Sequence, residues 1–270
     1  MAALDLYYEL AALGCLLVLL LAATKWYERN AMFAPTMEHA LTPAEAGLPP
    51  PQEIFLDSGG AKIHSWFFAG NPTATTILYI HGNGGNVADR LPVIRGYLDL
   101  GLGTFIYDPR GYGKSGGRAT RENFVEDAFR AYRYLVDERG IEPSSIVILG
   151  QSLGGAAALL LANEATCKGL ILEGAFVSIR EVAKDIYPNL PVFLLASTYW
   201  DNEREIRKIR VPVLLMCGSL DETINPRHTR RLFDAAHEPR ELVVIDGAGH
   251  ADMCLHAPEV YYGAIARLAK

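Results

Sequence analysis

The chain has 270 residues, half of them apolar and 21% charged, which is enough to bury a sizeable core and excludes a disordered chain. Lys plus Arg number 25 against 31 Asp plus Glu, a net charge of −6, so a basic face for nucleic acid is not expected. Four widely spaced cysteines, Cys15, Cys167, Cys217 and Cys254, indicate neither a disulfide scaffold nor a zinc ribbon.

The first predicted element is a membrane anchor. Leu10–Thr24 is a run of fifteen residues without a charge, short for a span that needs about 20. Its aromatic flanks extend it: Tyr7 and Tyr8 precede the run, and Trp26 and Tyr27 follow it. Tyr8 to Trp26 spans roughly 27 Å of helix, close to the hydrocarbon thickness. A cleaved signal peptide would carry Lys or Arg ahead of the run, where Asp5 and Glu9 stand instead. Gly14-Cys15 faintly suggests a lipoprotein cleavage site, but the apolar run continues past it, and a buried or lid-like helix is the remaining alternative. Lys25 and Arg29 follow the run and no positive charge precedes it, so the C-terminal side is expected in the cytoplasm.

Residues 30–51 carry Pro35, Pro43, Pro49, Pro50 and Pro51 and read as an ordered, irregular connector after an anchor at 1–29. Strands are predicted at Glu53–Asp57, Lys62–Phe68, Thr76–Ile80, Gly103–Tyr107, Ile146–Leu149, Leu170–Glu173, Val213–Cys217 and Leu242–Ile245. Ser58-Gly59-Gly60 is a hairpin turn between the first two. Helices are predicted at Val87–Asp99, Arg121–Arg139, Leu153–Glu164, Pro226–Ala236 and Pro258–Ala269. Short apolar strands alternating with helices imply a mostly parallel sheet covered on both faces. The interval between Glu173 and Val211 has apolar clusters but no strand, and reads as a helical cap inserted at about 175–210 of a domain covering 52–270.

Chemistry concentrates in Ile146-Val-Ile-Leu-Gly150-Gln-Ser152-Leu-Gly154-Gly155, a strand, a G-x-S-x-G turn and a helix opening with small residues. In such a turn a serine hydroxyl stands exposed above the sheet, and the glycines keep side chains from colliding across the corner. Nine serines and 25 glycines give roughly 0.1 chance match per chain of this length, so the spelling alone is moderately specific. A second match, Gly113-Lys-Ser115-Gly-Gly117, lies in a turn-rich loop with no small-residue helix after it. It also fails as a phosphate-binding loop, because the first glycine of that motif would fall at Asp108. Context selects Ser152.

His81-Gly82-Asn83-Gly84-Gly85-Asn86 follows another buried strand, where a glycine-rich loop can present a backbone N–H to the top of the sheet. The N–H groups of Asn83 and Leu153 are the expected oxyanion donors, and His81 is expected to fasten the loop; an ordinary glycine-rich turn is the plainer alternative. A serine nucleophile needs a base, and the base an orienting carboxylate, here in the order Ser, acid, His. His250, in Asp246-Gly-Ala-Gly-His250 after the last strand, is the expected base, with His256 its competitor; His228 and His237 are expected on the surface. Asp221, just past Val213–Cys217, is the expected acid, with Glu222, Asp246 and Asp252 as alternatives. His250-x-Asp252-x-Cys254-x-His256 lacks the spacing of a zinc site, so no metal is expected.

Strand, elbow, helix and the order Ser152, Asp221, His250 resemble an α/β-hydrolase from about Pro49 to the C-terminus. The motifs His81-Gly-Asn-Gly-Gly-Asn, Asp108-Pro-Arg-Gly-Tyr-Gly-Lys-Ser, Gly150-Gln-Ser-Leu-Gly-Gly and Leu172-Glu-Gly-Ala-Phe176, with the anchor, are similar to single-pass membrane α/β-hydrolase-domain proteins related to serine aminopeptidases and monoacylglycerol lipases. The resemblance implies an eight-stranded sheet, no cofactor and Ser152, Asp221 and His250 as a triad. Serine at the elbow argues against the epoxide-hydrolase and dehalogenase branches, which use aspartate there. The expected activity is cleavage of a small-molecule or lipid ester, with a peptidase or amidase, or a non-catalytic binding protein, as alternatives. Tyr187, Phe193 and Trp200 in the apolar cap are the expected acyl contacts, with plain core packing as the other explanation of their apolar character.

Overall fold

The computed structural model describes residues 2–30, 32–72, 74–189 and 200–270. Its centre is an eight-stranded sheet: β1 Gln52–Ser58, β2 Ala61–Phe68, β3 Thr76–Ile80, β4 Gly103–Tyr107, β5 Ile146–Gln151, β6 Gly169–Glu173, β7 Val213–Gly218 and β8 Arg240–Ile245. Their spatial order is β8-β7-β6-β5-β3-β4-β2-β1, with β2 antiparallel to both β1 and β4 and every other pair parallel. All eight predicted strands are present, several a residue or two longer. β1 and β2 are joined by Gly59 and Gly60 at φ +54° and +82°, the two left-handed residues that a tight hairpin of this twist requires.

Burial explains the unbroken apolar strands. Along β3, Leu78 and Ile80 face one core while Ile77 and Tyr79 face the other, and β5 divides Ile146 and Ile148 from Val147 and Leu149 in the same way. The first core is closed by α3 Arg121–Arg133, α4 Leu153–Glu164 and α7 Arg227–Ala235, the second by α2 Leu91–Asp99 and α9 Pro258–Ala269. Two predicted helices are composite. Val87–Arg90 is a 3₁₀ turn ahead of α2, capped by Asn86, whose side chain accepts from Ala88 N–H while Asp89 reaches back to the Asn86 N–H. α3 runs on into a π turn over Tyr134–Glu138.

Three short helices have no bounds of their own in the sequence pattern: α5 Ile179–Ile186, α6 Asn202–Ile206 and α8 Met253–His256. α5 and α6 both fall in the interval read as a cap, joined by a bridge between Ser178 and Asp201. α1, Ala2–Asn30, contains a segment, Asp5–Ala23, long and apolar enough to cross a membrane, and the side chains of that segment are exposed. The connector is tied to the body at specific points. Ala34 and Pro35 pair in parallel with Gly84 and Gly85, and Phe33 is buried against Phe124.

Candidate active site

β5 ends at Gln151 and α4 begins at Leu153, leaving Ser152 alone at the corner with φ 51° and ψ −116°. Among the described residues it is the one non-glycine residue with positive φ. A non-glycine side chain held there costs about 1–3 kcal/mol, which the surrounding packing must outweigh. The corner is fixed by the Ser152 N–H donating to Glu173 O at 2.7 Å. The flanking glycines are required by contact: a Cβ on Gly150 would lie 2.6 Å from Gly155 Cα, and one on Gly154 would lie 2.1 Å from Ile80 O.

His250 lies in the loop after β8, and its Nδ1 is 2.7 Å from Asp221 Oδ2 in the loop after β7. The other Asp221 oxygen accepts the N–H groups of Thr223 at 2.9 Å and Ile224 at 2.8 Å. The carboxylate is therefore buried with both oxygens satisfied and aimed at one imidazole nitrogen. Gly174, directly after β6, lets both side chains approach: at φ +55°, a Cβ there would sit 2.9 Å from His250 Cε1 and 3.6 Å from Asp221 Oδ2. Nothing in the sequence marks Gly174 for this role, because positive φ is a property of the backbone that one sequence does not show.

The competing residues go elsewhere. Asp246 accepts from Ser219 Oγ at 3.0 Å, Asp252 accepts the Gly249 N–H at 2.7 Å, and exposed His256 pairs with Asp252 at 3.1 Å. His228 corrects its expected surface position. It is buried, its Nδ1 accepting from Val177 N–H at 3.2 Å and its Nε2 lying 2.9 Å from Asp185. It ties α7 to α5, and burial first, against the pull of Asp185, lowers its pKa from the ordinary histidine value.

The 82–86 loop lies against the elbow. A Cβ on Gly82 would meet Gln151 O and Ser152 Cβ, each at 3.3 Å. Asn83 accepts the Ala34 N–H at 2.8 Å on its side chain and the Tyr112 hydroxyl at 2.8 Å on its carbonyl. The Leu153 N–H is the first of α4, and helix geometry leaves it without an intrahelical acceptor. His81 fastens the loop as expected: Nδ1 lies 2.8 Å from Gly82 O, and complete burial lowers its pKa to about 4, so it is neutral.

Asp108, unassigned by the sequence, organises the floor beneath this loop. It accepts the Val87 N–H at 2.9 Å and lies 2.9 Å from His64 Nδ1 and 3.3 Å from His39 Nε2. Burial opposes its ionisation, but the hydrogen bonds of His39 and His64, the nearby His81 and the Val87 N–H outweigh it and hold the carboxyl well below the usual range. Among the described residues, these donor atoms of His39, His64 and Asp108 are the group that could hold a metal ion, all within 4.8 Å of one another. His64 uses its remaining nitrogen on Glu53 at 2.9 Å, so the group forms a closed hydrogen-bonded lock.

Of the expected acyl contacts, Tyr187 is exposed at the C-terminal end of α5. Trp200 is buried and packs edge-on against Phe124, the surroundings of a core side chain. Phe193 lies outside the described residues.

A family profile described as serine aminopeptidase, S33, matches residues 71–199. The α/β-hydrolase domain-containing protein WAV2 of Arabidopsis thaliana is 33% identical over 246 residues, covering 83% of this chain and 80% of WAV2. An uncharacterised membrane protein of Saccharomyces cerevisiae is 31% identical over 223 residues, covering 78% of each. A solved esterase of Pyrococcus furiosus, 18% identical, superposes with a TM-score of 0.72 over 87% of this chain and 97% of its own.

Proposed function

This chain belongs to the α/β-hydrolase family, and from that premise we propose that it is a serine hydrolase that cleaves carboxylic esters from a membrane-anchored position. The observation that carries the proposal is the buried Asp221 carboxylate on His250 Nδ1, in a fold whose elbow holds Ser152 at positive φ. A strained serine at a corner that Gly would fit without cost supports a reactive side chain there.

In this proposal Ser152 Oγ attacks the acyl carbonyl as His250 Nε2 takes the hydroxyl proton, and Asp221 stabilises the resulting imidazolium. The N–H groups of Asn83 and Leu153 receive the negative charge of the tetrahedral intermediate, each worth about 10²–10³ in rate. The leaving alcohol departs with the proton from His250. Water then attacks the acyl-enzyme and gives a proton to His250, which passes it to Ser152 Oγ as that bond breaks, releasing the carboxylic acid and restoring Ser152.

The proposed organisation is an anchor over 1–29, a connector over 30–51 and a hydrolase domain over 52–270 with a cap at about 175–210. Lys25 and Arg29 favour a cytoplasmic domain. The apolar stretch of sequence over 186–195, with Tyr187 and Phe193, favours a lipid ester, a lysophospholipid or an acyl thioester as substrate. Four residue steps lead from the end of α1 to Ala34 beside the 82–86 loop, a reach of at most about 14 Å, which favours substrates that reside in the membrane. Turnover of p-nitrophenyl esters of increasing chain length tests this: activity that holds or rises with length is expected, and a steady fall would refute the lipid preference. The peptidase alternative requires turnover of aminoacyl anilides with little on esters.

A further inference from the structure

The loop that carries Asn83 has glycines at 82, 84 and 85, so it has little intrinsic rigidity of its own. An oxyanion donor is effective only when held to within about 0.5 Å of its working position. The rigidity comes from the segment leaving the anchor. Ala34 and Pro35 pair with Gly84 and Gly85, and the Ala34 N–H donates to Asn83 Oδ1 at 2.8 Å. Asn86 Nδ2 donates to Thr36 O at 3.0 Å and to Glu38 O at 2.7 Å, closing the other end of the loop onto the same segment. The segment is itself gripped from outside: Phe33 packs on Phe124, Gly113 N–H donates to Thr36 O at 3.0 Å, and His39 meets the buried Asp108.

We propose that residues 33–39 act as a positioning strap for the oxyanion loop, with the Ala34 N–H on Asn83 Oδ1 as its closest point of control. This rests on the serine hydrolase reading, since it assigns the Asn83 N–H to the oxyanion. The strap starts three residues after α1 ends, so the chain coming off the anchor positions the oxyanion loop from outside the site. Strap residues act through Asn83 and touch no substrate, so loosening them lowers the rate of the chemical step and leaves substrate binding alone.

The test uses the full chain in detergent micelles with a short p-nitrophenyl ester. Ala34→Pro removes the donor at an exposed position on a two-residue strand, and Ala34→Ser keeps the donor. Asn86→Ser retains a capping oxygen for the Ala88 N–H but cannot donate to both carbonyls of the strap. The expected result is a kcat about tenfold lower in Ala34→Pro and Asn86→Ser, KM within about twofold, and wild-type kinetics in Ala34→Ser. Unchanged kcat in both damaged variants, an effect on KM alone, or an equal loss in Ala34→Ser overturns the strap. Ser152→Ala, run beside them, separates the two claims: if it retains turnover, the serine hydrolase reading itself fails.

Discussion

Two serines in this chain sit in the same five-letter pattern, and the molecule treats them oppositely. Ser115 is buried in the loop after β4, where its hydroxyl donates to Asp108 O at 2.6 Å and accepts the His64 N–H at 2.7 Å. Ser152 is at a strand-to-helix corner with positive φ, beside the loop of Gly82 and in a fold that pairs His250 with Asp221. The first hydroxyl is consumed in holding Asp108's loop against β2; the second has backbone, not hydroxyl, bonds fixing it. The pattern therefore specifies only room for a tight turn. What separates the two serines is the element each leads into, a helix N-terminus for Ser152 and a loop for Ser115.

Alanine at the two positions gives the sharpest contrast and the largest expected effect. Ser152→Ala should lower ester hydrolysis by at least about 10⁴-fold with the melting temperature little changed. Ser115→Ala should leave kcat within about threefold but cost about 1–3 kcal/mol in denaturant unfolding, because the buried His64 N–H loses its acceptor. Comparable losses of activity in both would erase the distinction. Next in size, Asp221→Asn should lower kcat by roughly 10³–10⁴-fold, since the amide no longer holds the imidazole in its working tautomer. Steady-state kinetics near neutral pH measures it.

A third effect belongs to the elbow side alone. Glu173 ends β6, its carbonyl accepts the Ser152 N–H, and its carboxyl is fully buried with the Tyr261 hydroxyl donating to it. Burial raises its pKa from 4.5 to about 7, against the smaller opposing effect of Tyr261. A carboxyl raised on folding contributes stability fully below its unfolded pKa and loses it as pH climbs through the folded value. Unfolding free energy should thus fall by about 3 kcal/mol from this group between about pH 4.5 and pH 7, and Glu173→Gln should flatten that interval. A wild-type profile in the variant would contradict the assignment. The smallest effect is expected at His256, whose partner is Asp252: His256→Ala should keep kcat within about twofold, and a large loss would reinstate it as base.

The strands and the helices after β5 and β8 are legible in the sequence because burial on two faces leaves an apolar run of fixed length. The strand-to-helix corner at Ser152 and the loops that carry Asp221 and His250 are legible because they follow from the order of strands along the chain. Contacts between distant segments are not. Asp108 reads as a turn residue in sequence, and only the fold surrounds it with His39, His64 and Val87 from three other segments. His228 sits in a helix of strongly polar sequence, which hides the fact that its own face packs under α5. The connector's prolines signal irregularity but not its pairing with Gly84 and Gly85, because two residues carry no periodicity to detect. Trp200 reads as a pocket residue from its apolar neighbours, which packing against Phe124 explains equally well.

The most direct test of an activated serine at the elbow is to incubate the full chain with a fluorophosphonate probe and locate the label by peptide mass spectrometry. The triad assignment predicts label on Ser152, none on Ser115, and loss of label in His250→Ala. Label at another serine, or none on folded protein, would contradict it.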